Sequence, residues 1–101
     1  MDQNYKAIHQ QADKLFYKFQ DIVDDKTDAM ASSAQHEIKE IVECIEMNKA
    51  PRFVEDRVRE VQKMMEKVRA GESHMMTPED AAFLIHEYEQ LRKQLRSLPN
   101  Y

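Results

Sequence analysis

Apolar residues recur three and four apart along most of the chain, with polar residues between them, and this spacing predicts α-helices. Over roughly residues 3 to 24 the stripe runs Tyr5, Ile8, Ala12, Leu15, Phe19 and Ile22. Phe16 and Val23 stand one residue beyond Leu15 and Ile22 and widen it to the face of a globular bundle. Five polar residues, Asp24 to Asp28, then interrupt, and Asp25 or Thr27 is placed to cap a new helix. The next stripe is Ala31, Ala34, Ile38, Ile41 and Ile45, flanked by Val42 and Cys44. It is shifted two positions from the frame that would continue from Ile22, which predicts a turn near residues 24 to 28. A continuous helix with a stutter is the alternative, because no Gly or Pro occurs before Pro51.

Pro51 disfavours helical geometry at Ala50 but suits a first helical turn, so the third helix is predicted to start there. Its stripe is Val54, Val58, Val61, Met65 and Val68, and Arg69-Ala70-Gly71 supplies the stop. Thr77-Pro78-Glu79-Asp80 reads as cap, first-turn proline and acids at the positive end of the helix dipole. Met76 and Ala81 flank that start as a small hydrophobic staple. The fourth stripe is Ala81, Leu84, Tyr88, Leu91, Leu95 and Leu98, broadened by Ile85 and ended by Pro99. Ala31-Ser32-Ser33-Ala34 makes the second helix thin at its start, leaving room for a close neighbour or for Phe16 and Phe19.

Four helices of about 20 residues, each about 30 Å long and joined by short connections, predict an all-α, antiparallel up-down-up-down four-helix bundle. The alternative is a long helical hairpin, with the first two helices continuous, completed by dimerisation. The 101 residues make one domain, and one Gly with three Pro are too few for the turns of a sandwich or barrel. Charged residues make up 34% of the chain and the net charge of -4 argues against a wholesale polyanion-binding surface. No run approaches the roughly 18 apolar residues of a membrane span, and Met1-Asp2-Gln3-Asn4 lacks the basic and apolar regions of a signal peptide. With a single cysteine, the reading expects a cytoplasmic protein in a reducing environment, with no membrane association.

Candidate chemistry is sparse. His36 and His86 fall on outer faces, His9 on the shoulder of the first stripe and His74 in a loop, so no metal site is expected; His36 and Glu40 are spaced only for a weak surface ion. Glu37, Glu40, Glu43 and Glu46 recur every three residues on the second helix. In that fragment the chain resembles the all-helical nucleotide pyrophosphohydrolases, whose Glu-x-x-Glu helix binds magnesium together with a Glu-x-x-Asp on the next helix. The resemblance implies metal-dependent nucleotide hydrolysis, but the third helix offers Glu55, Asp56 and Glu60 without that spacing. A step of three residues also rotates by about 300°, so the four acids spiral around the helix. Cys44 reads as a small buried hydrophobe, and one Gly leaves no phosphate-cradling loop.

The third helix and its approach hold seven basic residues, Lys49, Arg52, Arg57, Arg59, Lys63, Lys67 and Arg69. Nucleic-acid binding is one reading of that cluster. The other is a solvated face with Asp56 to Arg59, Glu60 to Lys63 and Glu66 to Arg69 spaced for helical ion pairs. Phe53, Met64, Met75, Met76 and Phe83 lie off the main stripes or beside them, and Phe53 and Met64, 11 residues apart, share a face. His74-Met75-Met76 has the soft donors that copper favours, while flexible Met side chains also suit a partner surface or internal packing. The reading that follows is a small protein-interaction module, an adaptor, chaperone or antagonist, with no catalytic residues, cofactor or metal. Its expected interface is Phe53, Met64, Met75 and Phe83, rimmed by Arg52, Arg57 and Lys63, facing another protein or a second copy of the chain.

Overall fold

A computed structural model of the chain describes residues 3–23, 29–72 and 76–101. Asp25 and Thr27 as caps, the turn near residues 24 to 28, and His74 and Met75 lie outside the described residues. Four α-helices account for nearly all the rest: α1 (Gln3–Val23), α2 (Ala29–Glu46), α3 (Pro51–Arg69) and α4 (Pro78–Arg96). Each packs on two neighbours in a closed ring, α1 on α2, α2 on α3, α3 on α4 and α4 on α1. This is the antiparallel bundle that the periodicity predicts. The packing of α1 along α2 excludes a continuous rod through the first two helices.

The helix boundaries follow from local chemistry. Pro51 is the first residue of α3, and the Thr77 hydroxyl accepts a hydrogen bond from the Asp80 amide (3.1 Å) at the start of α4, with Pro78 beside it. Gly71 stops α3 with φ of 94°, its amide bonded to the Val68 carbonyl (2.9 Å) and the Glu72 amide to the Lys67 carbonyl (3.1 Å). The same paired motif closes α2 around a residue that is not glycine. Asn48 takes φ of 56°, its amide bonds to the Ile45 carbonyl (3.1 Å), and the Lys49 amide bonds to the Cys44 carbonyl (3.0 Å). Asparagine tolerates this left-handed conformation better than most residues, so α2 ends before Pro51 is reached.

The core is the set of stripes. Ile8, Leu15, Phe19, Ile38, Ile41, Val58, Val61, Met65, Leu84 and Leu91 are all buried in one cluster, with Ala12, Ala31, Ala34 and Ala81 balancing the bulk of Phe19 and Tyr88. Tyr5, Phe16, Ile22, Val42, Cys44, Met64 and Ile85 pack against its edge. Met76 and Ala81 are both buried, as the staple requires. The phenol of Tyr88 puts a polar group among these apolar side chains: its hydroxyl is buried and has no hydrogen-bond partner among the described residues. Burial pushes its ionisation far above the ordinary phenol range.

Two outcomes test this core. Ile41→Ala is expected to cost about 2 to 5 kcal/mol in denaturant titrations, as for a buried aliphatic with little room to relax. Tyr88→Phe removes an unpaired buried hydroxyl and keeps the ring, so stability is expected to hold or rise by about 1 kcal/mol; a loss above that size would show that the hydroxyl has a partner.

Candidate functional site

With its core closed, the bundle still leaves large apolar side chains substantially exposed, and among the described residues these are Tyr17, Met47, Phe53 and Phe83. Met47 (66% exposed) caps the end of α2 and Phe53 (47%) stands in the first turn of α3, so both belong to the end of the bundle where α2 hands over to α3. Together with Cys44, Glu40, Lys49 and Arg57 they line a shallow groove between the two helices. A second depression, along Glu37, Asp56 and Glu60, continues it up α3 and shares Phe53 and Arg57.

Arg57 organises this face. Its guanidinium bridges to α2 by donating to Glu40 (2.5 Å) and Glu37 (3.2 Å), and it lies over the Phe53 ring with its central carbon 5.2 Å from the ring centroid. Phe53 is thus held on its inner side by a cation and open on its outer side. Two carboxylates share that one guanidinium, while Glu43 and Asp56 have no ion-pair partner among the described residues. Lys63 answers Glu60 (3.3 Å) farther along the same helix. His36 pairs with Glu40 (3.2 Å), in keeping with their spacing four residues apart.

The expected interface residues do not form one patch. Phe53 and Arg57 meet in the groove. Met64 lies on the same side of α3 but is half-buried against the core, so the second apolar face of α3 is partly the shoulder that rests on α2. Arg52 turns the other way and lies over the Tyr101 ring, 5.0 Å from its centroid. Lys63 is exposed, and Phe83 sits on the seam between α1 and α4 beneath the Lys18 ammonium (5.4 Å). Sequence reasoning passes over Met47, and it reads Glu40 and Glu43 as part of an acid series and Lys49 as part of a basic cluster, not as groove residues. The signal for them was present: Glu40, Cys44 and Met47 are spaced four and three apart and share one helical face.

Among the described residues no three His, Cys, Asp or Glu side chains gather as a metal site. The acids of α2 spread as their step of three predicts: Glu37 and Glu40 face Arg57, Glu46 borders a depression toward α1 with Asp13 and Lys39, and Glu43 stands between, lining both that depression and the α2/α3 groove. Of the seven basic residues around α3, Arg57, Arg59, Lys63 and Arg69 have acidic partners on the chain itself. Arg59 reaches Glu55 (3.9 Å) rather than Asp56. No described helix is long and apolar enough to cross a membrane.

On the opposite side of α3, Glu55 is buried (1% exposed) and receives Arg92 Nε (3.2 Å) and Arg96 Nε (3.2 Å) from α4, while the Tyr101 hydroxyl donates to its other oxygen. Burial alone would raise its ionisation range; the Tyr101 hydrogen bond and the two guanidinium groups outweigh that and hold the carboxyl below the usual value. Glu89 is held low as well, by Gln62, Arg92 and Arg96. Tyr101 is raised by its bond to the Glu55 carboxylate. Carboxylates with depressed folded values stabilise above their unfolded values, near 4.3, and lose that contribution as pH falls; the raised phenols, Tyr88 and Tyr101, lose theirs as pH rises past about 10. The melting temperature is therefore expected to be flat through neutrality and to fall at both ends. Glu55→Gln should cost about 2 to 3 kcal/mol at pH 7, less than a fully buried pair because Arg96 reaches solvent, and should shallow the acid limb.

Comparison of the chain with protein families, curated proteins and solved structures finds no match, so function must be argued from this geometry alone.

Proposed function

We propose that this chain is a non-catalytic protein-interaction module that engages its partner through the α2/α3 groove, with Met47 and Phe53 as the anchoring side chains. One observation carries the reading: two large apolar residues lie open on either side of a groove, on a bundle that completes its core without them. Binding energy in interfaces concentrates in a few such side chains set in a partly ordered surround, and Met adapts its shape to the partner. The groove is lined by apolar side chains, the Cys44 thiol, Glu40 bridged by Arg57, and Glu43 and Lys49, a set that suits recognition more than bond chemistry. A cytosolic setting belongs to the same proposal, since Cys44 would stay reduced there.

Met47→Ser with Phe53→Ser tests the proposal. Both side chains are exposed, so the melting temperature and helicity should stay within the small range of surface substitutions, about 0.5 kcal/mol. Crosslinking in cells followed by mass spectrometry should identify a partner joined to the wild type, and the double variant should lose at least about tenfold of that adduct. Undiminished crosslinking by the variant, or its unfolding, would refute the groove as the docking site.

A further inference from the structure

Charge is divided between the two flanks of α3. The groove flank carries Glu37, Glu40, Glu43, Asp56 and Glu60 against Lys49, Arg57 and Lys63, five acids to three bases, a net of -2. The α4 flank carries Arg52, Arg59, Arg92 and Arg96 against Glu55 and Glu89, four bases to two acids, a net of +2. The apolar anchors are all on the acidic flank. Met47 and Phe53 therefore open onto a lining of net negative charge, in which the exposed Glu43, Asp56 and Lys49, two acids to one base, have no ion-pair partner among the described residues.

From this division we infer that the segment docking in the α2/α3 groove is a basic amphipathic helix, with bulky apolar residues meeting Met47 and Phe53 and Lys or Arg reaching Glu43 and Asp56. The inference rests on the proposed function and adds the partner's chemistry. A groove between two helices is shaped for a third helix laid along it. From Phe53 to Glu60 α3 rises about 10 Å, a length that two turns of a bound helix match. A second copy fits less well. Its own basic flank is the complementary surface, and pairing unlike surfaces head to tail leaves each end free to add another copy instead of closing a dimer. An acidic partner would bring like charge to Glu43 and Asp56, and such charges mainly set encounter rate and specificity.

The probe is a fluorescein-labelled peptide of about 18 residues, a five-turn helix of Leu on one face and Lys on the other, compared with the same peptide carrying Glu in place of Lys. Fluorescence anisotropy should show saturable binding of the Leu/Lys peptide and none of the Leu/Glu peptide. Met47→Ser with Phe53→Ser should weaken that binding by about tenfold or more. Glu43→Lys with Asp56→Lys should weaken it about three- to tenfold at low salt, with the difference shrinking as salt is added. If the Leu/Glu peptide binds equally well and depends on Met47 and Phe53, the basic-partner inference falls while the groove reading stands. Leu/Lys binding that ignores the Met47 and Phe53 substitutions overturns both, as adhesion by net charge alone. Absence of saturable Leu/Lys binding overturns the inference, and so does a concentration-dependent rise in mass by light scattering that the Met47 and Phe53 substitutions abolish, which would give the groove to a second copy.

Discussion

A carboxylate without water must be answered by the protein, and in this bundle that requirement fixes α3 against α4. Glu55 lies at the seam with 1% of its side chain exposed, and three groups from the far end of the chain converge on it: Arg92, Arg96 and Tyr101. Sliding α4 by one turn would leave the charge unpaired, a cost far larger than that of a displaced apolar contact. The same network extends through Gln62, which accepts from Arg92 (2.8 Å) and donates to Glu89 (3.2 Å), so the seam is polar and satisfied over two turns. Residues 97–101 are ordered by it as well: Leu98 is buried, Tyr101 is clasped between Glu55 and Arg52, and Asn100 donates to Tyr5 of α1 (3.2 Å).

The α2 side of α3 is built on a different balance. There the bridge is one guanidinium at the surface, Arg57, shared by Glu37 and Glu40, and it reaches across without filling the groove. Surface pairs of this kind contribute little stability, and α2 brings to the core a stripe of Ala and Ile with no aromatic among its buried members. A thin helix beside a rigid pair leaves space at its margins, and the exposed apolar side chains at the α2/α3 handover occupy that margin. The proposed docking groove is thus a by-product of how unevenly the helices share the core.

How much was legible in the sequence depends on whether the information was local. The Ile38, Ile41 and Ile45 stripe, the Thr77-Pro78 start and the Gly71 stop each involve neighbours within four residues, and each appears in the fold as expected. Asn48 falls inside the boundary that the sequence marks at residues 48 to 51, but the reason for that boundary rests on Pro51, and the tolerance of Asn48 for positive φ is what ends α2. Glu55 was not readable: nothing in the helical period says which charged residue at a stripe's edge will be covered, and its partners lie 37 to 46 residues away. Arg57 was read as part of a basic rim for a partner because its acids, 17 and 20 residues earlier on α2, are invisible to rules about spacing within one helix. Phe53 and Phe83 looked alike as surplus aromatics, yet the ring order of the helices puts them on different seams.

That ring order also governs how the molecule comes apart. Three of the four seams join helices consecutive in the chain, and only the one between α1 and α4 closes a loop through nearly the full length. Closing it is the most entropically demanding step of assembly, and beside the apolar packing of Ile8, Leu15 and Phe19 its polar contacts are modest: Gln11 donating to Glu87 (2.6 Å), an exposed Lys14 near the same carboxylate (3.5 Å), and the Tyr5–Asn100 pair. The α3–α4 hairpin, locally connected and locked at Glu55, is the natural last unit to open, whereas α1 can leave and return as a segment. In amide exchange this is expected to give a gradient rather than one global event, with the slowest protons on α3 and α4 and the fastest helical ones on α1.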